Sequence, residues 1–316
     1  MSSMFRETRI PRLISIIIAV AVGVWYAISH AYVEFTFFVL MLFLCVGYAI
    51  YVESVAQKKD RAITALLNNC KVENFIRLYE GFSKQGGGAG FGPTKMWRLT
   101  IELNLATAYL CAGSIDSAGQ VLLSIVKFPK SRAGFLSQMV YYSNCVSYYI
   151  ERGEIAVAEE MLNQFEKVLQ SPKLRIRVIN MYSGLFERRK RELQIAKENF
   201  AGCEQYFEQA FEDAESKLRR VISKYCLAKL YLHQERLDEL EEALHYIIEN
   251  GGDSVYRKRA IAQIRELGVD THRFTKQETD DIELVEVFTR KESAMLLGTG
   301  VALCVIIVIM MLLLTR

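Results

Sequence analysis

The 316-residue sequence has few histidines and lacks the spacings that build most catalytic and metal sites, and each absence closes off a class of function. Its four histidines, His30, His233, His245 and His272, are scattered, and none has a Cys or another His three or four residues away. Zinc needs three or four convergent ligands, so no metal centre is expected. Seven cysteines occur without a CxxC pair. Cys45 and Cys304 fall in apolar runs, while Cys70, Cys111, Cys145, Cys203 and Cys226 stand singly, which is the usage of a reducing compartment. No GxSxG and no cysteine in a nucleophile's setting is present. The paired acids Glu159-Glu160 and Glu241-Glu242 sit in polar helical stretches and read as solvated faces. Neither an enzyme nor a cofactor is expected.

A charge excess is also missing. Residues 53–289 hold 33 acidic and 33 basic side chains, so they lack the broad positive field that nucleic-acid binding uses. The glycine run Gly86-Gly-Gly-Ala-Gly-Phe-Gly92 lacks the Lys and Ser/Thr that close a phosphate loop, and it reads as a flexible linker over 86–93.

Apolar residues, at 51% of the chain, are concentrated in three nearly uncharged runs: 13–29, 35–52 and 294–314. A bilayer core of about 30 Å takes roughly 20 helical residues; the third run meets that need fully and the first two at the short end of the range. Arg6, Arg9 and Arg12 ahead of the first run, with Ala27-Ile28-Ser29 at its end, also suit a cleaved signal peptide. The second run begins six residues after Ser29, however, and would remain as a span. Lys58, Lys59 and Arg61 follow the second run and Arg290 and Lys291 precede the third, whereas the connector 30–34 has no Lys or Arg. The positive-inside rule then puts 1–12 and 53–293 in the cytoplasm. The expectation is a multi-pass protein of the bacterial plasma membrane. Small residues four apart, Ala19, Gly23 and Ala27 in the first span and Ala294, Gly298 and Ala302 in the third, suit close packing of spans within one chain or between copies as a homo-oligomer. No mid-span charge marks an ion path. Residues 269–293, with Glu278, Asp280, Asp281, Glu283 and Glu286, read as an acidic juxtamembrane stalk.

Between the spans, 53–268 shows helical periodicity almost throughout, as in Leu99, Leu103, Ala106 and Leu110, and in Leu237, Leu240, Leu244 and Ile247. Pairs are expected over 57–68 with 73–84, 98–112 with 115–127, 132–152 with 155–170, 173–190 with 192–213, and 216–234 with 237–250, then a last helix over 255–267. Glu187-Arg-Arg-Lys-Arg-Glu192 reads as a basic turn inside the fourth pair.

Two pairs carry one pattern: Ala106, Tyr109, Gly113, Ala118 and Leu122, then Val146, Tyr149, Gly153, Ala158 and Leu162. A third set has Gly184, Glu187, Ala196 and Phe200; a fourth has Ala228, Tyr231, Leu240 and Leu244. The pattern resembles the tetratricopeptide repeat, in which a small residue of the first helix meets one twelve positions later in the second. The first-helix positions 106, 146, 184 and 228 are wider apart than the family's period of about 34 residues. The resemblance implies an all-α solenoid of paired antiparallel helices, with a protein-binding groove formed by first helices. By register that groove holds Thr107, Leu110, Cys111, Ser147, Ile150, Glu151, Lys229, Leu232 and His233. The expected function is a scaffold or adaptor for a protein or peptide client associated with the membrane. The alternative is a structural or assembly subunit whose spans make the essential contacts.

Overall fold

In the computed structural model the described residues are Gly47, Tyr51, 61–84, 95–129 and 131–268. The three apolar runs, apart from Gly47 and Tyr51, lie outside them, as do the linker over 86–93 and the stalk over 269–293. Among the described residues no helix is long and apolar enough to cross a membrane. The chain divides into two units, 1–63 with 86–92 and 285–316, and 64–85 with 93–284.

The described residues are helical and contain no strand. A helical stretch ending at residue 68 leads into α1 (Val72–Lys84), α2 (Lys95–Ala112), α3 (Ile115–Ser124), α4 (Arg132–Glu151), α5 (Ile155–Leu169), α6 (Ile176–Ala196), α7 (Cys203–Glu212), α8 (Lys217–His233), α9 (Leu237–Asn250) and α10 (Val255–Glu266). Helices α1 to α10 all belong to the second unit. Neighbours in sequence pack together, and α2 touches α4, α4 touches α6, and α6 touches α8.

One turn recurs inside the pairs. Cys70, Gly113, Gly153, Glu198 and Glu235 all have positive φ, between 57° and 81°. Each donates its N–H to the carbonyl three residues back, and the next residue donates to the carbonyl five back, as in Ser114 to Tyr109 at 2.9 Å and Arg236 to Tyr231 at 2.9 Å. This is the Schellman closure, which satisfies carbonyls that the helix end leaves free. The turn also sets the register of the second helix in each pair. Five residues beyond the left-handed position lie Phe75, Ala118, Ala158, Cys203 and Leu240; nine beyond lie Tyr79, Leu122, Leu162, Phe207 and Leu244. All ten are buried. Residues four apart share a helix face, so each second helix buries one face at the same two positions.

Close approach explains the small residues. Ala106 and Ala118 share a core with Leu122, Cys145 and Tyr148. A Cβ on Gly119 would lie 2.6 Å from the Tyr148 hydroxyl. A tyrosine at the repeat position also ties one pair to another: the Tyr109 hydroxyl donates to Glu80 at 2.8 Å, across from α2 to α1. Gly134 is needed for another reason, since a Cβ there would fall 1.8 Å from the Pro129 carbonyl oxygen.

The fourth pair corrects the sequence reading. Its first helix does not stop at residue 190 but runs on to Ala196, and its partner α7 begins only at Cys203. Residues 187–192 are therefore helical, not a turn. The reason is local: the segment has no Gly or Pro, and its charges pair along the helix, Arg191 with Glu187 at 3.0 Å and Arg189 with Glu192. Gly184 and Ala196 accordingly lie on one helix and cannot meet across a pair. The true counterparts of Ala106 and Ala118 are Arg191 and Cys203, seven residues later.

The last helix returns to the beginning. α10 packs on α9 and α8 and also touches α2. A Cβ on Gly113 would meet Val255 at 2.6 Å, and the Asp253 N–H donates to the Cys70 carbonyl at 3.1 Å. The Asp253 carboxylate accepts the N–H of Val72 at 2.6 Å and of Glu73 at 3.0 Å. Arg259 binds Glu151 through both guanidinium nitrogens and the Tyr225 hydroxyl at 3.2 Å.

Candidate functional site

The faces of α2, α4, α6 and α8 that do not pack on their second helices line a cavity of about 310 Å³. From α2 come Thr107, Leu110 and Cys111; from α4, Asn144, Ser147, Ile150 and Glu151. The α6 contribution includes Arg188, Arg189 and Glu192, and α8 adds Arg219, Tyr225, Cys226 and Lys229. Tyr256 of α10 and, ahead of α1, Leu67 and Asn68 also line it.

The lining is held rigidly where it meets the core. The Asn144 amide donates to the Leu103 carbonyl at 3.1 Å and to the Thr107 hydroxyl at 2.9 Å, while that hydroxyl donates to the Leu103 carbonyl at 2.9 Å. This network fixes α2 against α4. The Arg189 Nε donates to the Ser143 hydroxyl at 2.9 Å, and a second nitrogen binds Glu192. Burial works against the Arg189 cation, but the Glu192 carboxylate more than offsets it and the guanidinium stays charged. The Cys111 thiol is pushed up to about 12 by the same burial, and the Cys226 thiol and Tyr256 phenol are also raised.

Glu151 behaves differently. Burial pushes its carboxyl up, yet the Arg259 hydrogen bonds and charge, with help from Lys229, hold it below its ordinary value. It stands as a carboxylate locked to the last helix. The Ser147 hydroxyl oxygen is closed off from solvent and has no hydrogen-bond partner among the described residues.

Of the nine residues that repeat register places on a groove, Thr107, Leu110, Cys111, Ser147, Ile150, Glu151 and Lys229 come together in this cavity. Leu232 and His233 do not. Leu232 is exposed at the end of α8, and the His233 ring stacks on Phe200 at 4.3 Å between centroids. The packing set Ala19, Gly23, Ala27, Ala294, Gly298 and Ala302 lies outside the described residues.

The family models, the curated proteins and the solved structures compared with this chain include no significant match.

Sequence reasoning missed Arg188, Arg189, Glu192, Arg219, Tyr225 and Tyr256. The first three were hidden by the misplaced turn at 187–192. The i, i+3 spacing of Arg189 and Glu192 was the available signal for a continuous helix. Nothing local marks Tyr256 or Arg259, because their partners lie far along the chain, Glu151 being 108 residues from Arg259. Three carboxylates of the paired acids are engaged on the surface: Glu159 with Lys197 at 2.7 Å, Glu241 with His245 at 3.4 Å and Glu242 with Lys224 at 3.6 Å. Among the described residues no group of three or more His, Cys, Asp or Glu is placed to hold a metal ion.

Proposed function

We propose that this chain is an integral membrane protein that presents a tetratricopeptide-like α-solenoid in the cytoplasm as an adaptor for a membrane-associated protein client. The observation that carries this reading is the convergence of α2, α4 and α8 residues, read from repeat register, on one cavity bounded by first helices. A repeat protein uses such a concave face for binding, because the second helices are occupied in packing against neighbours. The recurrent Schellman turns at Cys70, Gly113, Gly153, Glu198 and Glu235 support the repeat, although their spacing departs from the family's. The three apolar runs supply the anchor, and holding the cavity near the bilayer raises the local concentration of membrane-bound clients. In this reading the chain is neither an enzyme nor a cofactor carrier and does not bind nucleic acid. The cell carrying it would be bacterial, and its reduced cysteines fit the cytoplasmic side.

The test is site-specific photo-crosslinking in cells from Ile150 in the cavity and from the exposed Leu237 on a second helix. A defined client should crosslink from position 150 and be lost when Ser147→Trp fills the cavity. Equal crosslinking from both positions, or survival in the filled variant, would count against the adaptor. Loss of function on exchanging the apolar runs for unrelated ones, with crosslinking unchanged, would favour the assembly-subunit reading.

A further inference from the structure

Two long stretches contain no carboxylate at all: 117–150 and 167–186. In a region with balanced charge overall, their Lys and Arg therefore lack acidic neighbours in sequence. The fold brings one connector from each stretch to a common edge. The connector between α3 and α4 packs Ile125 beside Phe128, Val140 and Tyr141. The connector between α5 and α6 packs Leu174 with Met139, beside Phe135 and Leu136. Lys173 lies 5.9 Å from the centre of the Phe135 ring. Both connectors thus flank the first turns of α4.

This edge is apolar as well as basic. Leu123 and Val126 are 65% and 80% exposed, and Ile176 and Met181 are 72% and 66% exposed. Lys127, Lys173, Arg175 and Arg177 are exposed among them, and none is in an ion pair among the described residues. Protruding aliphatic side chains set between unpaired cations suit one partner chemistry: a lipid surface with anionic headgroups, where cations meet phosphates and aliphatic tips enter the acyl boundary. The opposite edge differs. There Leu237, also exposed, stands next to Asp238 and Glu239. The basic segment 187–192 is not part of this surface, since Arg189 and Arg191 are held by Glu192 and Glu187.

We infer that the edge formed by the α3–α4 and α5–α6 connectors is a docking surface for an anionic bilayer. The inference does not depend on what the cavity binds. Attachment grows about fivefold for each basic residue near such a surface.

The full-length protein, with Cys45 and Cys304 replaced by Ala, would carry an environment-sensitive fluorophore at Val126→Cys, Met181→Cys or Leu237→Cys. It would be reconstituted into vesicles of phosphatidylcholine alone or with phosphatidylglycerol added. With phosphatidylglycerol, labels at 126 and 181 should shift to the blue and be quenched by nitroxide lipids, while the label at 237 stays in water. Added salt should reverse the shift, and the variant K127E/K173E/R175E/R177E should abolish it. The salt arm stands even if that variant does not fold. Equal iodide quenching at 126, 181 and 237 in anionic vesicles overturns the inference. So does protection of 126 and 181 by soluble polyglutamate without any by vesicles, which would assign the edge to an acidic protein.

Discussion

The Asp253 carboxylate caps the N-terminus of α1 by accepting the backbone N–H of Val72 at 2.6 Å, across a sequence separation of 181 residues. A second bond, from Glu73 at 3.0 Å, completes the cap. Helix N-caps are ordinarily supplied by the preceding residue, which here is Lys71 and has no acceptor to offer. Asp253→Ala is expected to cost about 1–2 kcal/mol. Hydrogen exchange should show faster opening of 72–84 in the variant, with α5 protected as before. Unchanged exchange in α1 would mean the cap contributes nothing.

The Glu151–Arg259 pair makes stability depend on pH with a defined sign. The folded carboxyl lies below its unfolded value. Its contribution is present above the unfolded value of roughly 4.3 and is lost as pH falls through the folded value. Glu151→Gln should lower stability near neutral pH by about 1–3 kcal/mol, and the difference from the native protein should shrink as the solution is made strongly acidic. Melting temperatures measured along that series decide the matter; a gap that widens in acid would reverse the assignment.

Gly113 and Gly153 occupy equivalent left-handed turns, with φ of +81° and +73°, but different surroundings. A Cβ at 113 would meet Val255 at 2.6 Å, whereas one at 153 meets nothing within 4 Å. Gly153→Ala should therefore cost about 1–2 kcal/mol of backbone strain alone. Gly113→Ala adds a clash and should cost roughly 1–3 kcal/mol more. Denaturant midpoints of the two variants give the comparison, and equal losses would show that α10 yields freely.

Cys70, Cys111 and Cys145 have thiols pushed up to about 12 by burial, so almost no thiolate exists in the folded state. In a C45A/C304A background the native protein should react negligibly with a disulfide reagent at about pH 8, and all the remaining thiols should titrate once it is unfolded. Fast reaction of the folded protein would place a thiol at the surface.

The helical class and most element boundaries were legible because Leu, Ala and Tyr recur at helical spacing and Gly113 and Gly153 mark turns. Where a non-glycine residue takes the left-handed turn, as Glu198 and Glu235 do, the punctuation disappears. Glu235 was still found, because its flanking helices are strongly patterned. Glu198 was not, because the charged run 187–192 imitates a loop while its i, i+3 and i, i+4 pairs make it helix. The cavity was half legible: residues on α2 and α4 follow from register, but those from α6 were lost with its boundary. Asp253, Tyr256 and Arg259 act on partners far along the chain, and local pattern carries no trace of such contacts.

The return of α10 to α2 changes how the domain can be made. A linear array of helix pairs can begin folding at its first pair while the rest is still being synthesised. Here α1 lacks its cap until residue 253 has been added, and Gly113 lacks its neighbour until residue 255. The early pairs therefore gain their full set of contacts only once nearly the whole domain has left the ribosome. Deleting the last helix should accordingly loosen the opposite end of the domain.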